Sequence, residues 1–172
     1  IAPWIEQSMR YRPKRELPAG TRGHILIFGP DAVTRAFMRK LEGRQILFVV
    51  VTPDQEEAFR LESEGMQVLC GTPTDGSFLE KARAGDARGI VTNLNDPESV
   101  NLCLTARKLG EAPIAVVADD SAHADLLRLA GATHVIPLPQ ILGRHLATRA
   151  TTFGAAAHVL DAFGNLLIAE MP

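Results

Sequence analysis

Long apolar runs are missing from this 172-residue chain: none approaches the ~18–20 residues that a membrane-spanning helix requires, and no signal-peptide pattern is present. Cysteine is scarce too. Cys70 and Cys103 both lie inside apolar stretches without a paired spacing, which favours buried free thiols in a reducing compartment over a disulfide or a metal site. Also absent is any arguable Ser-His-Asp arrangement, catalytic carboxylate pair or Cys-His dyad, so the chain is read as a non-enzyme. His24, His134, His145 and His158 lack the spacing of metal ligands.

Glycine is missing where it would matter most. His24-Ile25-Leu26-Ile27-Phe28-Gly29-Pro30-Asp31-Ala32-Val33-Thr34 begins as a buried strand running into a tight turn and a helix, the start of a dinucleotide-binding unit. Gly29 stands at the first phosphate-loop position, but Asp31 and Thr34 occupy the second and third. An anion is favoured by the free N–H groups and dipole of a helix start, here the loop Gly29-Pro30-Asp31-Ala32. The Asp31 carboxylate competes for the same donors and is itself a good helix N-cap. Pro30 stiffens the loop further.

What the chain does contain is enough apolar sequence for one sizeable core, 46% hydrophobic against 22% charged residues. The net charge of −2 conceals an asymmetry: Arg10, Arg12, Lys14, Arg15 and Arg22 outnumber Glu6 and Glu16 before residue 23, leaving −5 on the remainder. The body therefore does not read as a nucleic-acid binder. Ile1-Ala2-Pro3-Trp4-Ile5 ahead of the basic cluster has the look of the cytoplasmic end of a membrane helix under the positive-inside rule, and equally of an ordinary basic linker.

Beyond Gly23, short apolar runs alternate with amphipathic segments, the βαβ pattern of a parallel sheet covered on both faces. The predicted strands are 25–28, 46–51, 68–70, 89–92, 114–118 and 134–136, and the predicted helices 31–42, 54–64, 77–84, 97–109 and 121–130. Thr52 with Gln55 makes a candidate capping box, Asp96 precedes a first-turn Pro97, and Ser121 opens the fifth helix. Gly65, Gly110 and Gly131 suit left-handed helix ends. Pro139–Val159 reads as a longer helix carrying Ile141, Leu142, His145 and Leu146, with a short strand, Leu166–Ala169, after Gly164. The fold expected is α/β, a doubly wound parallel six-stranded sheet.

In such a fold ligands bind at the carboxyl ends of the strands. Besides the first loop, this edge should carry Thr52 and Asp54 after the second strand, Gly71 and Thr72 after the third, and Asn93 and Asn95 after the fourth. A nucleotide site prefers an acidic residue at the end of the second strand; Thr52 stands there, and Asp54 is an imperfect substitute. Turn and cap chemistry alone also accounts for these residue types. Asp119, Asp120 and His123 after the fifth strand supply too few oxygens for calcium, which takes six or more.

Three segments together carry a resemblance: Gly71-Thr72-Pro73-Thr74-Asp75 with Leu79-Glu80-Lys81-Ala82; Asn101 with Leu104-Thr105-Ala106-Arg107; and Leu127-Arg128-Leu129-Ala130-Gly131-Ala132 running into Val135-Ile136-Pro137. They resemble the RCK family, also called KTN or TrkA-N, the cytosolic regulatory domains of potassium channels and transporters, over about residues 23–150. The resemblance implies a Rossmann-like domain at 23–138 and a preceding basic linker, 1–22, that joins a pore helix to the domain in the same polypeptide. It also implies a crossover helix and the start of a C-terminal subdomain at 139–172. Function would then be ligand sensing and gating on the cytoplasmic side of the cell membrane, through a homodimer or a tetrameric or octameric ring, with deletion of the linker leaving folding intact.

The cofactor is left unnamed; the family implies an adenine nucleotide or NAD(H), held here by a weakened motif. The calcium-binding positions of some relatives correspond to Thr72, Val117 and Asp119, so that site is not reproduced. A transporter regulatory subunit, a ligand-free assembly module and, more remotely, an NAD(P)-dependent oxidoreductase are the other readings.

Overall fold

The computed structural model describes residues 11–151 in full and the backbone of 158–163 and 166–170. The expected placement of Trp4 near a membrane lies outside the described residues.

Six short apolar runs form the sheet: β1 (Ile25–Phe28), β2 (Phe48–Thr52), β3 (Val68–Cys70), β4 (Gly89–Thr92), β5 (Ile114–Ala118) and β6 (His134–Pro137). All neighbours pair parallel in the order β3-β2-β1-β4-β5-β6, so strand order reverses between β1 and β4. The helices are α1 (Ala32–Glu42), α2 (Gln55–Ser63), α3 (Gly76–Lys81), α4 (Asp96–Arg107), α5 (Ala124–Leu129) and α6 (Leu138–Thr151). Alternate strand residues face opposite layers, as a pleated strand requires. Ile27, Val50 and Cys70 pack with Met38 and Leu41 of α1 and Ala58 and Leu61 of α2. Leu26, Phe28, Val49, Val51 and Leu69 form the larger core on the other face, with Phe78 and Leu79 of α3, Leu102 and Cys103 of α4 and Leu127 of α5.

Several boundaries differ from the sequence reading, each for a local reason. The second strand starts at Phe48, not Ile46, because Ile46 N–H closes the end of α1 on Leu41 O (3.0 Å) after Gln45 turns at φ 55°. The third helix ends at Lys81 because Arg83 adopts φ 56°, and a 3₁₀ turn, Ala84–Asp86, follows. The fifth begins as a 3₁₀ turn, Ser121–His123, capped by Asp120 rather than Ser121. Gly65 and Gly131 do take positive φ, 88° and 113°. Gly110 does not, and answers a packing need instead: a Cβ there would sit 2.9 Å from Gly85 Cα.

The long helix is described only to Thr151, and His158–Phe163, whose first two residues fall within the span expected to be helical, is strand β7, paired antiparallel with β8, Leu166–Glu170. Residues 152–157, the rest of the expected helix before β7, lie outside the described residues.

Residues 11–22, expected as a separable tether, run along the domain. Cys70 N–H donates to Lys14 O (2.7 Å), Leu17 N–H to Lys81 O (3.0 Å) and Gly23 N–H to Asp86 O (3.0 Å). Leu17 joins the larger core, and the Tyr11 ring meets Phe59 edge-on at 5.3 Å. Burial, with the Glu62 carboxylate nearby, pushes the Tyr11 phenol up to about 12.

Candidate binding cleft

The loops after β1, β2, β3 and β4 carry the expected site residues at the carboxyl edge of the sheet, and their side chains decide what each can hold. In the first, Gly29 takes φ 74°, and a Cβ on it would fall 2.6 Å from Asn93 O, so only glycine lets the loop after β4 approach. Asp31 caps α1: its Oδ1 accepts from Thr34 N–H (2.9 Å), while Thr34 Oγ1 accepts from Asp31 N–H (2.8 Å). This reciprocal box consumes two donors that a phosphate would otherwise use. Pro30 is half-buried, and Asp31 and Ala32 are exposed.

The second loop departs from the expected capping box of Thr52 with Gln55. Asp54 is the N-cap of α2, its Oδ1 accepting from Glu56 N–H (2.8 Å) and Glu57 N–H (3.3 Å). Thr52 is 1% exposed. Its hydroxyl donates to Glu57 Oε2 (2.7 Å) and accepts from Asp54 N–H (3.2 Å), so it has no proton left for a ligand. Glu57 Oε1 receives Arg60 Nη2 at 3.3 Å.

After β3, Gly71 N–H donates to Thr52 O (3.1 Å), and a Cβ on Gly71 would strike the Phe78 ring. Gly71 and the exposed Thr72 border a cavity of about 250 Å³ with Arg15, Pro53, Gln55 and Lys81. Cys70 lies on the same wall, its thiol pushed up by burial, and burial also raises Cys103, to about 11. Neither is a thiolate nucleophile at neutral pH.

The fourth loop is held from within. Asn95 caps α4 through Glu98 N–H (2.9 Å) and its amide donates to Glu98 Oε2 (2.8 Å). Buried Thr92 and Ser99 join at 3.2 Å, and Ser99 Oγ donates to Leu94 O (3.2 Å). Asp96, 4% exposed, then ties in the loop after β5 by accepting from Asp119 N–H (2.9 Å), Asp120 N–H (3.3 Å) and His123 Nδ1 (2.7 Å). Burial opposes its charge, but these hydrogen bonds win and its pKa is lowered; the Asp96 bond raises that of exposed His123. Asp119, Asp120 and His123 thus serve Asp96 and a local cap, and among the described residues no group of three His, Cys, Asp or Glu is placed to hold a metal ion.

The predicted site residues therefore fall into two sets. Gly29 meets Asn93 at the switch point, while Thr52, Asp54, Gly71 and Thr72 gather around the ends of β2 and β3, with Arg15 and Glu57 as neighbours the sequence reading did not single out. Residues 25–138 match the TrkA-N domain family. The chain belongs to the TrkA-N family. The GsuK channel bound to NAD is 56% identical over 99% of this chain, with a TM-score of 0.83, and the GsuK RCK domain is 56% identical over 99%, at 0.82. GsuK bound to ADP is 54% identical over 87%, at 0.82. This chain spans 31%, 38% and 40% of those three chains, respectively.

In this TrkA-N domain two of the segments that carried the resemblance turn out to touch. Arg107 Nε and Nη2 donate to Gly131 O (3.0 and 2.8 Å) and Nη1 to Ala112 O (2.7 Å), and a Cβ on Gly131 would lie 2.5 Å from Arg107 Cγ. Arg107 is a structural clamp between α4 and the start of β6, at the far end of the sheet from the cleft.

Proposed function

We propose that this chain is the ligand-sensing RCK domain of a potassium channel, on the cytoplasmic side of the membrane, and that its cleft takes an adenine nucleotide or NAD(H). The NAD- and ADP-bound GsuK structures at 54–56% identity support the ligand class. The observation that carries the coupling is the docking of residues 11–22: Lys14 O holds the N–H of Cys70, the residue directly before Gly71 and Thr72, and Arg15 lines the cavity that these two border. A ligand there contacts both the domain and the segment that leads to the pore. Only a ligand that binds one arrangement of the segment better than the other can do work on a gate. Among the described residues no helix is long and apolar enough to cross a membrane; in the proposed reading the pore belongs to another part of the same polypeptide.

The partner is a second copy of the chain. Leu126 and Leu129 of α5 are 53% and 85% exposed, and Leu142 and Leu146 of α6 are 52% and 69% exposed, on the last two helices of the domain. Between α4 and α5 an apolar groove of about 330 Å³ runs past Val100 and Leu126. The boundaries 1–22, 23–138 and 139–172 remain the working division, with the first of these packed on the second over residues 11–22.

Thermal unfolding against NAD, NADH, ATP, ADP, AMP and calcium tests this reading, because a ligand selective for the native state raises the midpoint by mass action. A saturable rise with an adenine nucleotide and none with calcium is the expected result. A flat response to all six supports the second reading, a ligand-free assembly module. The Asp31–Thr34 and Asn95–Glu98 caps favour that alternative, since they occupy helix-start donors that a phosphate needs.

A further inference from the structure

We propose that Glu57 supplies the ribose-binding carboxylate of the cleft, so that the site takes an adenine nucleotide with free ribose hydroxyls and rejects one that carries a 2′-phosphate. This rests on the reading of the cleft as a nucleotide site. In a doubly wound sheet the adenosine ribose lies over the end of β2, where a carboxylate accepts from the 2′-hydroxyl and an arginine in its place accommodates a 2′-phosphate.

Here the strand ends in Thr52, whose single proton is committed to Glu57 Oε2 and whose oxygen already accepts from Asp54 N–H. The carboxylate has moved one helical turn onward and is drawn back to the strand end. Three contacts place it: Glu57 N–H on Asp54 Oδ1 (3.3 Å), Oε2 on Thr52 (2.7 Å) and Oε1 on Arg60 (3.3 Å). A carboxylate accepts at about four lone-pair positions, so two used contacts leave capacity for a pair of ribose hydroxyls. The side chain is 24% exposed, enough for a ligand to reach.

Asp54, another carboxylate at this strand end, has as many positions in use, but both contacts go to the start of the helix it caps, whereas Glu57 is held to the strand end itself by Thr52. Three cations could oppose the inference: Arg60, 61% exposed and already engaged by Glu57, and Arg15 and Lys81, which line the neighbouring cavity with Pro53 and Gln55 and not the Thr52–Glu57 pair. An exposed ion pair such as Arg60–Glu57 offsets little charge. With Asp54 and Glu56 beside it, the end of β2 repels a further phosphate.

The test is calorimetric titration of the protein with NAD, NADP, AMP and 2′-deoxy-AMP, repeated on Glu57→Gln and Thr52→Val. The wild type should bind NAD and AMP about tenfold more tightly than NADP and 2′-deoxy-AMP, since hydrogen bonds to a charged acceptor are among the strong ones. E57Q, whose amide oxygen can still accept from Thr52, should lose most of both ratios while the unliganded protein still unfolds cooperatively. T52V, which releases Glu57 without removing it, should lose less. Ligand ratios near unity in the wild type, or ratios that E57Q leaves intact, would overturn the role of Glu57 while nucleotide binding itself stands. Tighter binding of NADP than of NAD would overturn it too, and assign Arg60 as a phosphate reader. If no nucleotide binds the wild type, this inference and the proposed function fall together.

Discussion

The loops after β1 and β2 are neighbours built to one plan, each passing from a buried strand through an aspartate cap into a helix, yet they spend their side chains differently. After β1, Asp31 and Thr34 satisfy each other, and the helix start is closed. After β2, Asp54 does the capping alone, and Thr52 and Glu57 form a hydroxyl–carboxylate pair with acceptor capacity to spare. The first loop is also fixed from outside by the close approach of Asn93 to Gly29, and the second more loosely, by Gly71 N–H on Thr52 O (3.1 Å) and Cys70 Sγ on Pro53 O (3.6 Å). Sequence position within a fold thus does not define a binding loop; what matters is which donors and acceptors remain after the loop has satisfied itself.

The contrast can be broken most severely at Gly29. Gly29→Ala combines positive φ with an overlap against backbone that cannot rotate away, and should cost about 3 kcal/mol or more in urea unfolding. Gly65→Ala, with φ 88° but nothing within 4 Å of the new Cβ, is the control and should cost about 1 kcal/mol. A similar loss at both positions would mean that the approach of Asn93 adds nothing.

Asp96 is next in size, a buried carboxylate in the same row of loops with both oxygens engaged. Asp96→Ala leaves two backbone N–H groups and His123 without their acceptor, and should cost about 2–3 kcal/mol. Because its folded pKa is lowered, its contribution is present above the unfolded value near ~3.9 and disappears as pH falls through the folded value. His123 has the opposite sign: its raised pKa gives a contribution that is complete below ~6.5 and disappears as pH rises through the folded value. Unfolding midpoints across pH should therefore sag at both ends, with His123→Ala removing the alkaline limb and shrinking the acid one, because His123 is among the groups that lower Asp96.

The smallest effects sharpen the comparison of the two loops most directly. Asp31→Ala and Asp54→Ala should each cost about 1 kcal/mol as lost caps. Removing Asp31 also opens the start of α1 to an anion, so that inorganic pyrophosphate should raise the midpoint of D31A more than that of D54A. Equal responses would show that the Asp31 box does not guard this helix start.

The six strands and the covering of both sheet faces were legible because buried parallel strands are continuous apolar runs, such as Phe48-Val49-Val50-Val51, whose period needs no tertiary information. Boundaries failed where one residue left the common backbone regions: Arg83 ended α3 early, and Gln45 delayed β2. Among the site residues, the Asp31 cap could be foreseen from its spacing to Thr34. The Thr52–Glu57 pair could not, because five residues separate its members and several acidic residues at the start of α2 compete for the role. Arg15 was hidden for another reason: nothing in a basic segment says that its carbonyls will be taken by a strand.

That segment also bears on where the domain begins. β3 is the last strand on its side of the sheet, and the N–H of Cys70 would face solvent were it not for Lys14 O. An unpaired strand border is a template for other chains, and proteins protect it by covering it or ending it in proline, as Pro137 ends β6 at the opposite border. A protein trimmed to start at Gly23 would thus lose its border guard together with Leu17 from the core. It would tend to self-associate through β3, whereas one that starts at or before Tyr11 would keep that border closed.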